Sequence, residues 1–273
     1  MAILTSNQIN NFYNVYKNTE ITFTKEIIRA TGLFQKGIHL KCVGHPIPCI
    51  IYSVSMTSAK IIANVNPALY EQIRTSSNLV SLRFAFRNRD KADPISFFVT
   101  SRINGFNPYS KEKPNLNFIS LEFTQRPPDD LIIVLGQILE AKSTSQKRRE
   151  ERIVLNAENN KKLGISNKSH SLSIQGVPRQ CILRDLSFSG AKTIVAGVGK
   201  FLVDKDAVLN VVTSENGILK IPGKIVRNET VQGRKDLIAL ALFFDEKQVP
   251  IEYKLMLNEF LKLRKIGPEK DNY

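Results

Sequence analysis

Short runs of β-branched and aromatic residues, separated by turn residues, fill most of this 273-residue chain. Such runs predict strands, and closely spaced strands without intervening helices favour an antiparallel barrel or sandwich. In the first half the runs cover residues 38–43, 49–55, 59–65, 80–86, 96–103 and 117–123. In the second half they cover 153–156, 172–174, 179–186, 191–196, 208–213, 218–227 and 237–244. We therefore expect a mainly β protein with two antiparallel β-barrel domains.

Four segments depart from the β pattern and show the spacing of helices instead. Near the start, Ile9, Phe12, Tyr13 and Tyr16 recur at helical intervals, and Ser6 is placed to cap the helix that they predict. Gly32 is a stop signal for a second helix. The predicted helices cover residues 6–16, 24–31, 126–142 and 250–265. They supply the N-terminal helices, an interdomain helix and a C-terminal helix.

The interdomain helix opens with Pro-Pro-Asp-Asp at 127–130, where prolines suit a first turn and carboxylates complement the positive helix end. The small polar residues 143–146 and the charge run KRREER at 147–152 follow it. That composition predicts a mobile connector between domains. We expect a first domain over residues 1–141, a linker over 142–153 and a second domain over 147–266.

The composition is that of a soluble globular protein, with 42% hydrophobic residues and a net charge of +14. Such a charge attracts polyanions, although a solvated basic surface explains it equally well. Cys42, Cys49 and Cys181 cannot form a closed disulfide framework, which favours a reducing compartment. The start shows no signal-peptide pattern, and the longest apolar run, 131–135, is too short to cross a membrane. We expect a cytoplasmic protein without membrane insertion.

Two short motifs carry the chemistry. Arg148 and Arg152 stand four residues apart, so a coiled linker would place both guanidinium groups on one face. Guanidinium groups bind phosphate in bidentate fashion, stack on purines and bond the O6/N7 edge of guanine. Taken alone, such a run is more typical of a solvated charge run in a flexible connector.

The second motif is a D-x-S-x-x-G segment formed by Asp185, Ser187 and Gly190. On a strand, Asp185, Ser187 and Ser189 would project to one side, away from Leu186. An ionised carboxylate accepts the N–H donors of a guanine edge, and Gly190 permits a turn or a close approach to a base. The alternative is a turn whose Asp and Ser bond local backbone.

The ordered pair of motifs resembles the PilZ family, whose members bind the bacterial second messenger cyclic di-GMP. The resemblance covers residues 147–265. With the N-terminal β domain and interdomain helix, nearly the whole chain is similar to two-domain spirochaete receptors of the PlzA type. It implies an N-terminal PilZ-like domain, a C-terminal PilZ domain and a non-enzymatic receptor. It also implies outputs in motility, adhesion or virulence through an unknown downstream protein partner.

The resemblance also assigns roles to the motif residues. The two arginines would hold phosphates and guanines of the ligand, while the Asp, Ser and Gly would recognise a guanine. The position before the first arginine, here Lys147, influences in the family whether one nucleotide or an intercalated pair binds. The expected ligand-binding set is Lys147, Arg148, Arg152, Asp185, Ser187, Ser189 and Gly190. Since a dianionic ligand would order the linker, we expect binding to change the domain arrangement.

Other constellations are weaker. Cys42, His45 and Cys49 lie within eight residues but lack an evident fourth metal ligand, and His45-Pro46 with Pro48 predicts a turn instead. No catalytic triad, nucleophile elbow or metal-hydrolase motif is present, so we expect neither an enzyme nor a cofactor. The functional alternative is a basic nucleic-acid-binding protein. Its candidate contacts are Arg83, Arg87, Arg89 and Lys91.

Overall fold

The computed structural model describes residues 4–87, 93–167, 170–197 and 201–266. The chain divides between Leu139 and Glu140 into two compact units. Within the described residues, each unit contains a closed barrel of six antiparallel strands with one further short strand at its edge. The prediction of a mainly β protein with two antiparallel barrels and flanking helices is therefore confirmed.

In its described residues, the first unit contains three α-helices and seven strands, and a fourth α-helix begins in it. The helices are α1 (Ser6–Tyr16), α2 (Lys25–Thr31), α3 (Pro67–Thr75) and α4 (Asp129–Lys147). The strands are β1 (Ile21–Thr22), β2 (His39–Cys42), β3 (His45–Val54), β4 (Ser58–Asn64), β5 (Leu79–Phe86), β6 (Ile95–Ser110) and β7 (Lys113–Phe123). The barrel runs in the order β3-β2-β5-β6-β7-β4 and closes where β4 pairs with β3.

The described part of the second unit contains the rest of α4, two further α-helices and seven strands. The helices are α5 (Ala157–Leu163) and α6 (Ile251–Ile266). The strands are β8 (Ile153–Val154), β9 (His170–Ile174), β10 (Val177–Leu186), β11 (Gly190–Ala196), β12 (Asp206–Val212), β13 (Ile218–Val231) and β14 (Arg234–Phe243). The barrel order is β10-β9-β12-β13-β14-β11, closed by β11 on β10, and β8 pairs with β10.

Alternating side chains build the core of the second barrel, and α6 covers it. Leu172, Leu209, Ile221 and Leu240 point inward and are completely buried. The apolar face of α6 packs into the same core, through Tyr253, Leu257, Phe260 and Leu261. The helix thereby removes the apolar interior of the barrel from water. It also lies beside the strand ends at which the candidate site is found.

Several boundaries differ from the predictions for local reasons. Thr5, not Ser6, caps α1, because Thr5 and Gln8 form a reciprocal capping box. The predicted turn at His45–Pro48 is wrong: β3 begins at His45, and the turn lies at Val43 and Gly44, both with positive φ. The prolines at 127–128 precede α4 instead of forming its first turn, and the carbonyl of Pro128 accepts the first helical N–H groups.

The interdomain helix is longer than predicted. Residues 143–146, which the composition assigned to a mobile connector, lie within α4. Ser145 is buried, and its hydroxyl donates to the carbonyl of Lys142 at 2.8 Å, so a polar residue completes a packed helical turn. The amide of Arg148 still donates to the carbonyl of Thr144 at 2.9 Å. The arginine motif therefore begins directly at a helix end.

Candidate functional site

The D-x-S-x-x-G segment forms the hairpin turn between β10 and β11. Asp185 is the penultimate residue of β10, and Gly190 is the first residue of β11. The amide of Ser187 donates to the carbonyl of Gly190 at 2.8 Å and closes the turn. The amide of Phe244, just after β14, donates to the carbonyl of Ser189 at 2.7 Å and ties the turn to the barrel.

The predicted alternation of side chains does not continue through this turn. Because β10 ends at Leu186, Ser187 and Ser189 are not on a strand face, and both are buried. The hydroxyl of Ser187 donates to the carbonyl of Gly190 at 3.2 Å, and the two hydroxyl oxygens lie 3.4 Å apart. The serines thus stabilise the turn, while Asp185 keeps part of its carboxylate exposed.

Gly190 is required by a close approach between two strands. It pairs with Phe243 of β14, and a Cβ atom built on it would overlap the carbonyl oxygen of Leu242. The sequence predicted that glycine would permit a turn or an approach to a ligand. In the structure, the neighbour that excludes a side chain is the backbone of β14.

The arginine motif lies beside this turn. Arg152 Nη1 contacts Asp185 Oδ1 at 2.6 Å, in an ion pair between residues 33 apart in sequence. Arg148 follows the last helical turn of α4, and its Nη1 is 3.4 Å from Glu151 Oε2. Lys147 is exposed at the end of the helix. The fold therefore brings the two motifs together inside the second unit.

Arg149 contributes two contacts that sequence reasoning missed. Its guanidinium carbon lies 5.5 Å from the ring centroid of Phe243, and its carbonyl accepts from the amide of Ser189 at 3.2 Å. A cation over an aromatic face is attracted by the ring quadrupole. The residue between the motif arginines thus fastens the arginine segment to the turn and to β14. Its place within a basic run gave no signal to separate it from its neighbours.

A cavity of about 330 Å³ adjoins Arg152. Its lining combines three cations and an amide with apolar side chains: Arg152, Ile153, Val154, Asn159, Lys162, Phe260 and Arg264. Lys162 is paired with Glu158 at 2.6 Å, and the amide of Asn159 donates to the carbonyl of Val154. Most of the polar groups around the cavity already have partners within the protein.

The other predicted constellations occupy structural positions. Cys42 pairs with His45 across the β2–β3 hairpin, and burial raises the pKa of the Cys49 thiol to about 12. Among the described residues, no three His, Cys, Asp or Glu side chains are grouped to hold a metal ion. His170 is buried, which lowers its pKa, and its Nδ1 accepts from the amide of Val212 at 3.1 Å. These groups have local structural partners.

The basic residues proposed for nucleic acid are partly engaged in the first barrel. Arg83 Nη1 donates to the carbonyl of Gly37 at 2.8 Å, and Arg87 lies over the ring of Phe34 at 5.1 Å. Arg89 and Lys91 lie outside the described residues. In the part of the chain that the structure describes, no helix is both long and apolar enough to span a membrane.

Comparison with known proteins decides the family. Residues 7–142 match the model of the PilZN3 domain. The chain is 42% identical over 264 residues to a Treponema denticola protein named cyclic di-GMP binding protein, covering 96% of this chain and 84% of that protein. The chain belongs to the PilZ family. The resemblance inferred from the two motifs is thus confirmed at the level of the family.

Two solved structures are also similar. PlzA of Borreliella burgdorferi in complex with c-di-GMP is 25% identical with a TM-score of 0.43, and the match covers 94% of this chain and 99% of PlzA. YcgR of Escherichia coli in complex with c-di-GMP is 13% identical with a TM-score of 0.28, over 97% and 96% of the two chains. The PilZ assignment rests on the domain model and the Treponema relative.

Proposed function

We propose that this PilZ protein is a non-enzymatic receptor that binds cyclic di-GMP at the β10–β11 turn of its second barrel. The observation that carries the proposal is the 2.6 Å ion pair between Arg152 and Asp185, which joins the two motifs in one place. The name of the Treponema denticola relative supports the same ligand. The ligand suits the chemistry, because it combines two phosphate anions with two guanine bases.

Each motif residue has a physical role in this proposal. Arg148 and Arg152 bind the phosphates and the O6/N7 edges of guanine, since a planar guanidinium matches both geometries. Asp185 accepts the N–H donors of a guanine edge. Lys147, exposed beside the arginines, adds a charge that draws in the dianion.

The buried residues Ser187, Ser189 and Gly190 stay in the proposed ligand-binding set, and they also shape the turn. Ser187 and Ser189 keep the turn in shape, and Gly190 allows its close packing against β14. They contribute to binding by holding Asp185 and the turn backbone in position. Ligand binding also requires Arg152 and Asp185 to separate or to share their hydrogen bonds with the ligand.

We further propose a first domain over residues 1–141, a linker over 142–153 and a PilZ domain over 147–266. Ligand bound to the arginines of the linker would change the arrangement of the two domains and so alter contacts with a downstream protein. Motility, adhesion or virulence are the outputs that this class of receptor would regulate in the cytoplasm. Small-angle scattering that is identical with and without saturating ligand would contradict the domain change.

Calorimetric titration of the whole chain tests the proposal. We expect saturable binding of cyclic di-GMP and much weaker binding of cyclic di-AMP. Guanine offers N1–H and N2–H groups that can donate hydrogen bonds to the Asp185 carboxylate, and adenine lacks both. The salt dependence should be shallow, since few phosphates are contacted. Weak cyclic di-GMP binding together with steeply salt-dependent binding of nucleic acid would favour the nucleic-acid alternative instead.

A further inference from the structure

The turn that carries Asp185 rests on the hydroxyl of a buried tyrosine. Tyr253 of α6 is completely buried, and its hydroxyl donates to the carbonyl of Ser187 at 2.8 Å. Its ring packs edge-on against Phe244 with ring centroids 6.0 Å apart. Phe244 in turn donates its amide to the carbonyl of Ser189. Two carbonyls of the turn are therefore held from the barrel side by adjacent, packed residues.

The electrostatic surroundings keep this hydroxyl a donor. Burial raises the pKa of Tyr253 well above its usual range, and the nearby Asp185 carboxylate raises it further. A buried hydroxyl that loses its acceptor keeps its desolvation penalty, so the contact also restrains where the turn can move. Tyr253 donates its hydrogen bond to the Ser187 backbone and is shielded from solvent.

The same helix also holds the segment that leads into the arginine motif. The side-chain amide of Asn258 donates to Glu140 Oε2 at 3.2 Å, and Lys262 forms an ion pair with the same oxygen. Glu140 lies on α4, about two turns before Lys147. The structure thus gives α6 one polar contact to the D-x-S-x-x-G turn and another to the helix that presents the arginines.

We propose that α6 is the positioning element of the binding site, and that Tyr253 sets the position of the D-x-S-x-x-G turn for its ligand. This inference rests on the proposed function. Tyr253 does not touch the ligand. Its hydroxyl reduces the number of conformations that the turn must give up on binding, and preorganisation of this kind increases affinity.

The substitution Tyr253→Phe removes the hydroxyl and keeps the ring. We expect the affinity for cyclic di-GMP, measured by calorimetry at 25 °C on the folded whole chain, to fall about tenfold. The matched control is Leu209→Val, a completely buried core position on β12 of the same barrel. This control loses core packing outside α6 and removes no hydrogen bond to the turn, so its affinity should match that of the wild type.

Hydrogen exchange supplies a readout that needs no ligand. In Tyr253→Phe, the amides of Ser187, Ser189 and Phe244 should exchange faster, while amides in the middle of β12 keep their protection. If Tyr253 had a purely structural role, the exchange rates of backbone amides would instead rise throughout the barrel or would not change at all. The local pattern is therefore specific to positioning of the turn.

The outcomes separate this inference from the proposed function. If the wild type does not bind cyclic di-GMP, the proposed function fails. If the wild type binds and Tyr253→Phe binds equally well with unchanged exchange in the turn, the positioning role is overturned. Should Tyr253→Phe not fold, Glu140→Gln tests the other contact of α6. We expect it to weaken binding about threefold by loosening α4, and unchanged affinity there would overturn the proposal.

Discussion

Changing Arg152 to glutamate should abolish detectable binding of cyclic di-GMP. The substitution removes a guanidinium that would hold the ligand and places a second carboxylate beside Asp185. A charged hydrogen bond is worth about 1.5–3 kcal/mol, so Arg152→Ala should lose about ten- to a hundredfold in affinity. Arg152→Glu should lose more, because like charges then repel each other and the dianionic ligand. Calorimetric titration of both variants gives the comparison.

The matched control is Arg234→Glu. Arg234 also pairs with an aspartate in the second barrel, through two contacts of 2.9 and 2.8 Å to Asp236. It begins β14, whereas Gly190 pairs with Phe243 at the other end of that strand, about 30 Å away at roughly 3.3 Å per residue. Reversing the charge of Arg234 should leave the affinity for cyclic di-GMP unchanged. Equal losses in Arg152→Glu and Arg234→Glu would mean that only the overall charge matters.

Changing Gly190 to alanine should destabilise the second barrel and weaken ligand binding together. The added methyl group would overlap the carbonyl oxygen of Leu242, and a backbone atom cannot rotate out of the way as a side chain can. Forcing β11 away from β14 should lower the free energy of unfolding by about 1–3 kcal/mol. The displaced turn should also bind cyclic di-GMP less tightly. Denaturant unfolding and titration of the same sample measure both effects.

Gly105→Ala provides the comparison for this glycine. Gly105 also lies in a strand, but a Cβ atom there would be 3.7 Å from Ser120 Cβ, which is an ordinary contact. We expect a change in the free energy of unfolding of less than about 1 kcal/mol. If Gly190→Ala were as stable as Gly105→Ala, the close approach between β11 and β14 would not constrain this position.

The barrels were predictable because their signals are local. Alternating apolar residues and turn residues such as Asn216 and Gly233, both with positive φ, mark where strands end and return. Two short helices were missed because each buries only one apolar residue, Ile73 in α3 and Leu163 in α5. Their clearest signals are the capping residues before them, which are also typical of ordinary turns.

The site was predictable in its residue types and only partly in its geometry. The spacing of Arg152 and Asp185 matched a family pattern, but local spacing does not determine that residues 33 apart form an ion pair. The hydrogen bond from Tyr253 to Ser187 joins residues 66 apart. Helical periodicity predicts which face of α6 is buried, but it does not determine what the buried hydroxyl of Tyr253 contacts.

Amide chemical shifts of the isotopically labelled whole chain, recorded as cyclic di-GMP is added, test whether the arginine segment and the β10–β11 turn form one site for this ligand. We expect saturable shifts that are largest in residues 148–152 and 185–190. Saturable binding with its largest shifts in the first barrel, or around Arg234 at the far end of β14, would contradict this expectation.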